Sequence, residues 1–274
     1  MNYRIISIAT LAMGAAAAPI MAQTTVVVTP TTESAAGWYD NSTAPGATSI
    51  VASPSGDGDG SLLLSTTGGS AQPALININT TLVGGSLSSL ASNGYAGMNF
   101  LQDAGAPGDP VFRLALTGVT SSAASSYITM GWYGDTESSV WQSSGNIASS
   151  GAFFLRANGG QIADDCKVGS GAGSFSDRMQ TLSDWLSACN GSDGTYDLTS
   201  ASVKWIQVDQ GTWPGFTGSN NAYVDQVAIG YGDERGTTTY DFATANSTPE
   251  PSSIALLGTG LFGLIPMVRR RRKR

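Results

Sequence analysis

Asn221-Ala222-Tyr223-Val224-Asp225-Gln226-Val227-Ala228-Ile229-Gly230, followed by Thr237-Thr238-Thr239-Tyr240-Asp241-Phe242, is the stretch on which the fold is decided. Side chains on a strand point alternately to its two faces. Strict alternation therefore puts Tyr223, Asp225 and Val227 on one side and Val224, Gln226 and Ala228 on the other, a two-faced reading that suits a sandwich strand. Working outward, short β-branched or aromatic runs recur at Thr24–Thr29, Ser61–Thr66, Ala74–Ile78, Val111–Thr117, Tyr127–Trp132, Ala152–Ala157 and Ser202–Val208. The punctuation between them is Gly, Asn, Asp and Pro, as in Ser55-Gly56-Asp57-Gly58-Asp59-Gly60 and Asn158-Gly159-Gly160. Many short strands without βα alternation predict an all-β fold: an antiparallel β-sandwich in one domain spanning residues 23–248.

The two ends read as addresses. Arg4, the apolar Ile5–Ala18 and the small-residue site Ile20-Met21-Ala22 before Gln23 have the form of a secretory signal peptide over residues 1–22, with the mature chain expected to begin at Gln23. At the other end, residues 249–274 run Pro249-Glu250-Pro251, an uncharged apolar stretch Ile254–Val268, and Arg269-Arg270-Arg271-Arg272-Lys273-Arg274. The prolines hold the approach extended. Fifteen helical residues span roughly 22 Å at ~1.5 Å each, short of the ~30 Å hydrocarbon core, and snorkelling arginines with local thinning close the gap. The cations would then sit on the cytoplasmic side. This three-part order resembles the PEP-CTERM sorting signal of Gram-negative bacteria. The resemblance implies recognition of the tripeptide by the membrane protease-transpeptidase exosortase. It also implies transient anchoring in the inner membrane, delivery to the cell surface or matrix, and biofilm or exopolysaccharide surroundings. The export reading adds the secretion translocon and signal peptidase as partners.

One helix interrupts the strands. Ser176 can cap it, Met179, Leu182, Leu186 and Cys189 follow at helical spacing, Trp185 widens the stripe, and Asn190-Gly191 stops it. Cys166 and Cys189 bracket this helix, and in an exported chain an even cysteine count predicts a disulfide. Two free thiols or a metal site are the alternatives, and the second lacks partners because the chain has no histidine.

That absence also removes Ser-His-Asp and Cys-His catalysis and ordinary zinc sites. No cofactor is expected, and calcium is the one ion with candidate ligands. Asp57 and Asp59 sit two residues apart on a Gly-rich turn that could aim both carboxylates at a hard cation; a solvated turn is the plainer reading. Between residues 23 and 248 there are 19 acidic and six basic residues, a net charge near −13 that repels nucleic acid and anionic surfaces.

The Tyr223-Val224-Asp225-x-Val227 strand before a final strand resembles the closing strands of jelly-roll domains, as in carbohydrate-binding modules and concanavalin-like lectins. The resemblance implies a jelly-roll sandwich and points to sugars. Trp132, Tyr133, Trp141 and Trp213 lie at strand ends or in turns, where exposed rings can stack on pyranose faces, so they are the candidate glycan platform. The expected role is a non-catalytic, surface- or matrix-associated protein that engages extracellular polysaccharide. The alternatives are a carboxylate-dependent glycan-active enzyme, with Glu33, Glu137 and Glu234 in no recognisable catalytic setting, and a purely structural matrix protein.

Overall fold

The computed structural model describes residues 23–54, 59–66, 73–102, 110–121, 128–134, 140–157, 160–162, 166, 179–192, 196–210 and 220–245. Its strands, in chain order, begin with β1 (Gln23–Val28), β2 (Trp38–Asp40), β3 (Ala47–Val51), β4 (Ser61–Thr66), β5 (Ala74–Asn77), β6 (Gly85–Ser86), β7 (Tyr95–Gln102), β8 (Pro110–Thr117) and β9 (Thr120–Ser121). They continue with β10 (Ile128–Tyr133), β11 (Gln142–Ser143), β12 (Phe153–Ala157), β13 (Gly160–Gln161), β14 (Tyr196–Asp197), β15 (Ser202–Gln210), β16 (Asn220–Gly230) and β17 (Thr237–Phe242). Every strand run anticipated above is present. Beyond those runs the structure adds β2, β3 and β7 and the two-residue strands β6, β9, β11, β13 and β14.

Two antiparallel-rich sheets result. In the first, β16 is the spine. One of its edges pairs with β7, and β11 extends β7. The other edge is shared: β4 pairs with residues 220–224 and β17 with 226–230. β3 lies outside β4, and β1 joins β17 as a parallel pair. The second sheet runs β13-β12-β10-β8-β15-β5-β2.

Their inner faces form one core. Leu62, Leu64, Met98, Phe100, Val224 and Val227 come from the first sheet and Leu75, Phe112, Leu114, Met130, Ile206 and Val208 from the second. Trp38 meets the rings of Tyr240 and Phe242 at 5.2 and 5.3 Å.

Strict alternation fails in the middle of β16. Its register against β7 shifts between Val224 and Gln226, so Asp225 is the extra residue of a bulge. Val224 and Val227 then both turn inward, while Tyr223, Gln226 and Ala228 are only partly buried. Val227 thus faces away from Tyr223, the reverse of the expectation. The bulge falls where pairing with β4 ends and pairing with β17 begins.

Helices are more numerous than the one expected: α1 (Thr80–Val83), α2 (Leu87–Asn93), α3 (Ile147–Ser150) and α4 (Leu182–Ala188). The anticipated helix is α4, and it is shorter. Thr181 caps it, its hydroxyl accepting from Asp184 N at 3.2 Å, while Gln180 exchanges backbone hydrogen bonds with Phe153 and so cannot join the helix. Ser176 lies outside the described residues. Trp185 Nε1 donates to Phe153 O at 2.7 Å and fastens α4 to the second sheet. The Cys166–Cys189 disulfide is present, with Cα atoms 5.2 Å apart. Among the described residues no helix is long and apolar enough to cross a membrane. Residues 1–22 and 249–274 lie outside them.

Candidate functional site

The outer face of the first sheet carries a groove of about 520 Å³. Register builds it in rows. Gln23 stands beside Thr237, which faces Gly230 and then Tyr95. The next row is Thr239, Ala228 and Gly97. The third is Asp241, Gln226, Asn99 and Ser143. Small residues in the middle make the floor, and Tyr95, Gln23, Thr237, Gln226 and Asn99 rise around it.

The far wall depends on Gly97. A Cβ there would come within 2.5 Å of Gly145 O, so glycine lets the chain after β11 lie against β7. Ser144 N donates to Met98 O at 3.0 Å, and Ser144 Oγ accepts from Met98 N at 2.9 Å. Asn146 Oδ1 accepts from Ala96 N at 3.2 Å, and its Nδ2 donates to Gly94 O at 3.0 Å. This zipper fixes Ser143 and, before it, Trp141. A second depression of about 260 Å³, lined by Asn99, Trp141, Gln142, Ser143 and Asp225, continues the groove past Asn99 and Ser143.

The polar row is loosely joined. Asn99 Nδ2 donates to Gln226 Oε1 at 3.5 Å, and Gln226 Nε2 donates to Asp241 Oδ1 at 3.5 Å. At that length each contact is weak, and the amides keep donor and acceptor capacity for an incoming hydroxyl. Tyr95 is 37% exposed at the rim. The groups held above their ordinary pKa by burial, Tyr240 (up to about 12), Tyr231 and Glu33, do not line the groove.

The second sheet's outer face is different in kind. Arg113 forks onto Asp209 through Nε at 2.8 Å and Nη2 at 3.1 Å, and Gln207 Nε2 adds a bond to Asp209 at 2.5 Å. The guanidinium lies 5.3 Å over Phe154. Arg113 is 8% exposed and Asp209 fully buried.

The expected aromatic platform is divided. Trp132 and Tyr133 are consecutive on β10, so they point to opposite faces. Trp132 turns inward, edge-on to Phe100 at 6.0 Å, while Tyr133 lies against Phe154 at 5.0 Å. Trp141 is at the groove of the other sheet, and Trp213 lies outside the described residues. Asp57 also lies outside them. The backbone carbonyl of Asp59 accepts from Thr244, and among the described residues no cluster of three metal-ligating side chains occurs. Tyr95, Asn99 and the neighbours of Gln226 were not singled out in the sequence; the period of two in Tyr95-Ala96-Gly97-Met98-Asn99-Phe100 is the signal that could have found them.

Residues 247–273 match the PEP-CTERM protein-sorting motif, which indicates an exported protein sorted by exosortase to the cell surface of a Gram-negative bacterium. Comparison with curated proteins and with solved structures found no match.

Proposed function

We propose that the exported domain is a non-catalytic surface or matrix protein that binds extracellular polysaccharide in the groove of the first sheet. One observation carries this reading: the amides of Asn99 and Gln226 line the groove together with the exposed Tyr95 ring, with the small residues Gly97 and Ala228 in the row between them. Planar amides suit paired sugar hydroxyls, a ring suits the apolar face of a pyranose, and a side chain no larger than the Ala228 methyl leaves room between them. The net charge near −13 favours neutral over acidic polymers. The signal peptide delivers the chain to the translocon, and cleavage after Ala22 leaves Gln23 at the start of the mature chain. Ile254–Val268 then holds the precursor in the inner membrane until exosortase acts at Pro249-Glu250-Pro251.

Residues 23–248 on a broad glycan array, with and without calcium, test the reading. Binding to neutral glycans that is lost in Tyr95→Ala and Gln226→Ala supports it. Silence from the folded, disulfide-intact domain sinks it in favour of a structural matrix role. The enzyme reading has one favourable observation: Asp225 precedes Gln226, whose cross-strand partner is Asp241, so two carboxylates neighbour one position of the groove. Release of reducing ends, abolished by Asp225→Asn or Asp241→Asn, would establish that reading instead.

A further inference from the structure

The chain leaves the sandwich through a clamp. Thr244 N and Oγ1 both donate to Asp59 O, at 2.6 and 2.9 Å, and Ala243 N donates to Val28 O at 2.9 Å. Gly60 makes room for this. Its φ is +137°, and a Cβ there would come within 2.6 Å of Thr244 N and 3.1 Å of the Ala243 carbonyl carbon. The exit point is thus pinned to the turn between β3 and β4.

Because β1 and β17 run parallel, Val28 and Phe242 share this end, and Gln23 and Thr237 lie at the opposite one. The five steps between them measure about 17 Å. The Gln23, Thr237 and Tyr95 rim of the groove is therefore at the far end from the clamp.

From Thr244 to Ile254, where the apolar run begins, ten residues reach at most about 35 Å, and the headgroup layer takes part of that. A domain of this length has a radius of gyration of about 17 Å and is roughly 40 Å across. The tether is too short for the clamped end to turn away from the bilayer without driving the domain into it. We propose that the anchored precursor keeps its clamped end turned towards the bilayer: the end formed by Val28, Asp59, Gly60 and Thr244 stays on average nearer the lipid headgroups than the Gln23–Tyr95 rim of the groove, and the inverted orientation is excluded. Charge does not supply the orientation, since an acidic domain gains nothing from anionic lipid; the tether alone does. The inference rests on the anchor reading of residues 254–268 given above.

The test uses residues 23–274, the chain left by signal-peptide cleavage with its C-terminal segment intact, in vesicles of phosphatidylethanolamine and phosphatidylglycerol that carry a headgroup-attached quencher. A fluorescent residue replaces either Ala52, exposed beside the clamp, or Ser92, exposed on α2 at the far end. The expected result is quenching at Ala52 at least about threefold that at Ser92, with the difference removed by inserting about thirty Gly/Ser residues between Ala245 and Asn246. Equal quenching at native spacing in a chain that floats with the vesicles overturns the orientation alone. A chain that does not float overturns the anchor reading and the orientation with it.

Discussion

The outer faces of the two sheets draw on similar side chains and use them in opposite ways. On the second sheet, Arg113, Gln207 and Asp209 have found one another at 2.5 to 3.1 Å, and Phe154 lies under the guanidinium. These residues are at most 8% exposed. On the first sheet, Asn99, Gln226 and Asp241 stand in a row at 3.5 Å, beside an exposed tyrosine. A polar cluster whose members satisfy each other out of water holds the fold together. On the first sheet, the Asn99 and Gln226 amides meet only at 3.5 Å and keep hydrogen-bonding capacity for a ligand.

The comparison breaks most severely at Asp209. Asp209→Ala leaves the Arg113 charge buried without its counter-ion and is expected to cost about 3–5 kcal/mol, read as a lower denaturant midpoint. The pair Arg113→Met with Asp209→Leu should recover much of that loss. A cost below about 1 kcal/mol for Asp209→Ala would show that this face is not closed after all.

Removing the disulfide is the next largest change. Cys166→Ser with Cys189→Ser opens a crosslink spanning 23 residues and is expected to cost about 3 kcal/mol, while affinity in the groove stays unchanged. A parallel loss of binding at a temperature where the variant is still folded would mean that the two faces are coupled.

A smaller effect separates the two faces of β17. Thr239 and Asp241 belong to the groove face, whereas Tyr240 is buried against Trp38. Burial pushes the Tyr240 phenol up to about 12 from 10; the Asn77 side chain offsets part of this, although its geometry falls short of a hydrogen bond. A folded pKa above the unfolded one contributes stability that is complete below pH 10 and is lost as pH rises towards 12. The loss is about 2 kcal/mol, and Tyr240→Phe should flatten that alkaline limb in a stability-against-pH series. Unchanged curvature in Tyr240→Phe would assign the limb to other tyrosines.

The smallest stability effects belong to the groove. Tyr95→Ala and Gln226→Ala should stay within about 0.5 kcal/mol of the parent while affinity for a bound neutral glycan falls about tenfold or more.

Much of this architecture was legible in the residues, and the groove was not. Ser61–Thr66 and Thr237–Phe242 are strands with the expected bounds, because β-branched and apolar runs end there at turn residues. β7 is hard to read as a strand because Ala96 and Gly97 lower its β character, although Met98 and Phe100 keep the period of two. The Asp225 bulge has no local signature, since it arises from how β16 must serve β4, β7 and β17 together. The rows of the groove depend on the register of five strands, which no single stretch of sequence states. By contrast, the adjacency of Trp132 and Tyr133 already meant that they could not share a face.

The most direct measurement is amide chemical-shift mapping on residues 23–248 with a neutral oligosaccharide from the array. The account predicts perturbations concentrated at Tyr95, Asn99, Gln226 and Thr239, with Arg113, Gln207 and Asp209 unmoved. Perturbations centred on the second sheet, or none at saturating sugar, would contradict it.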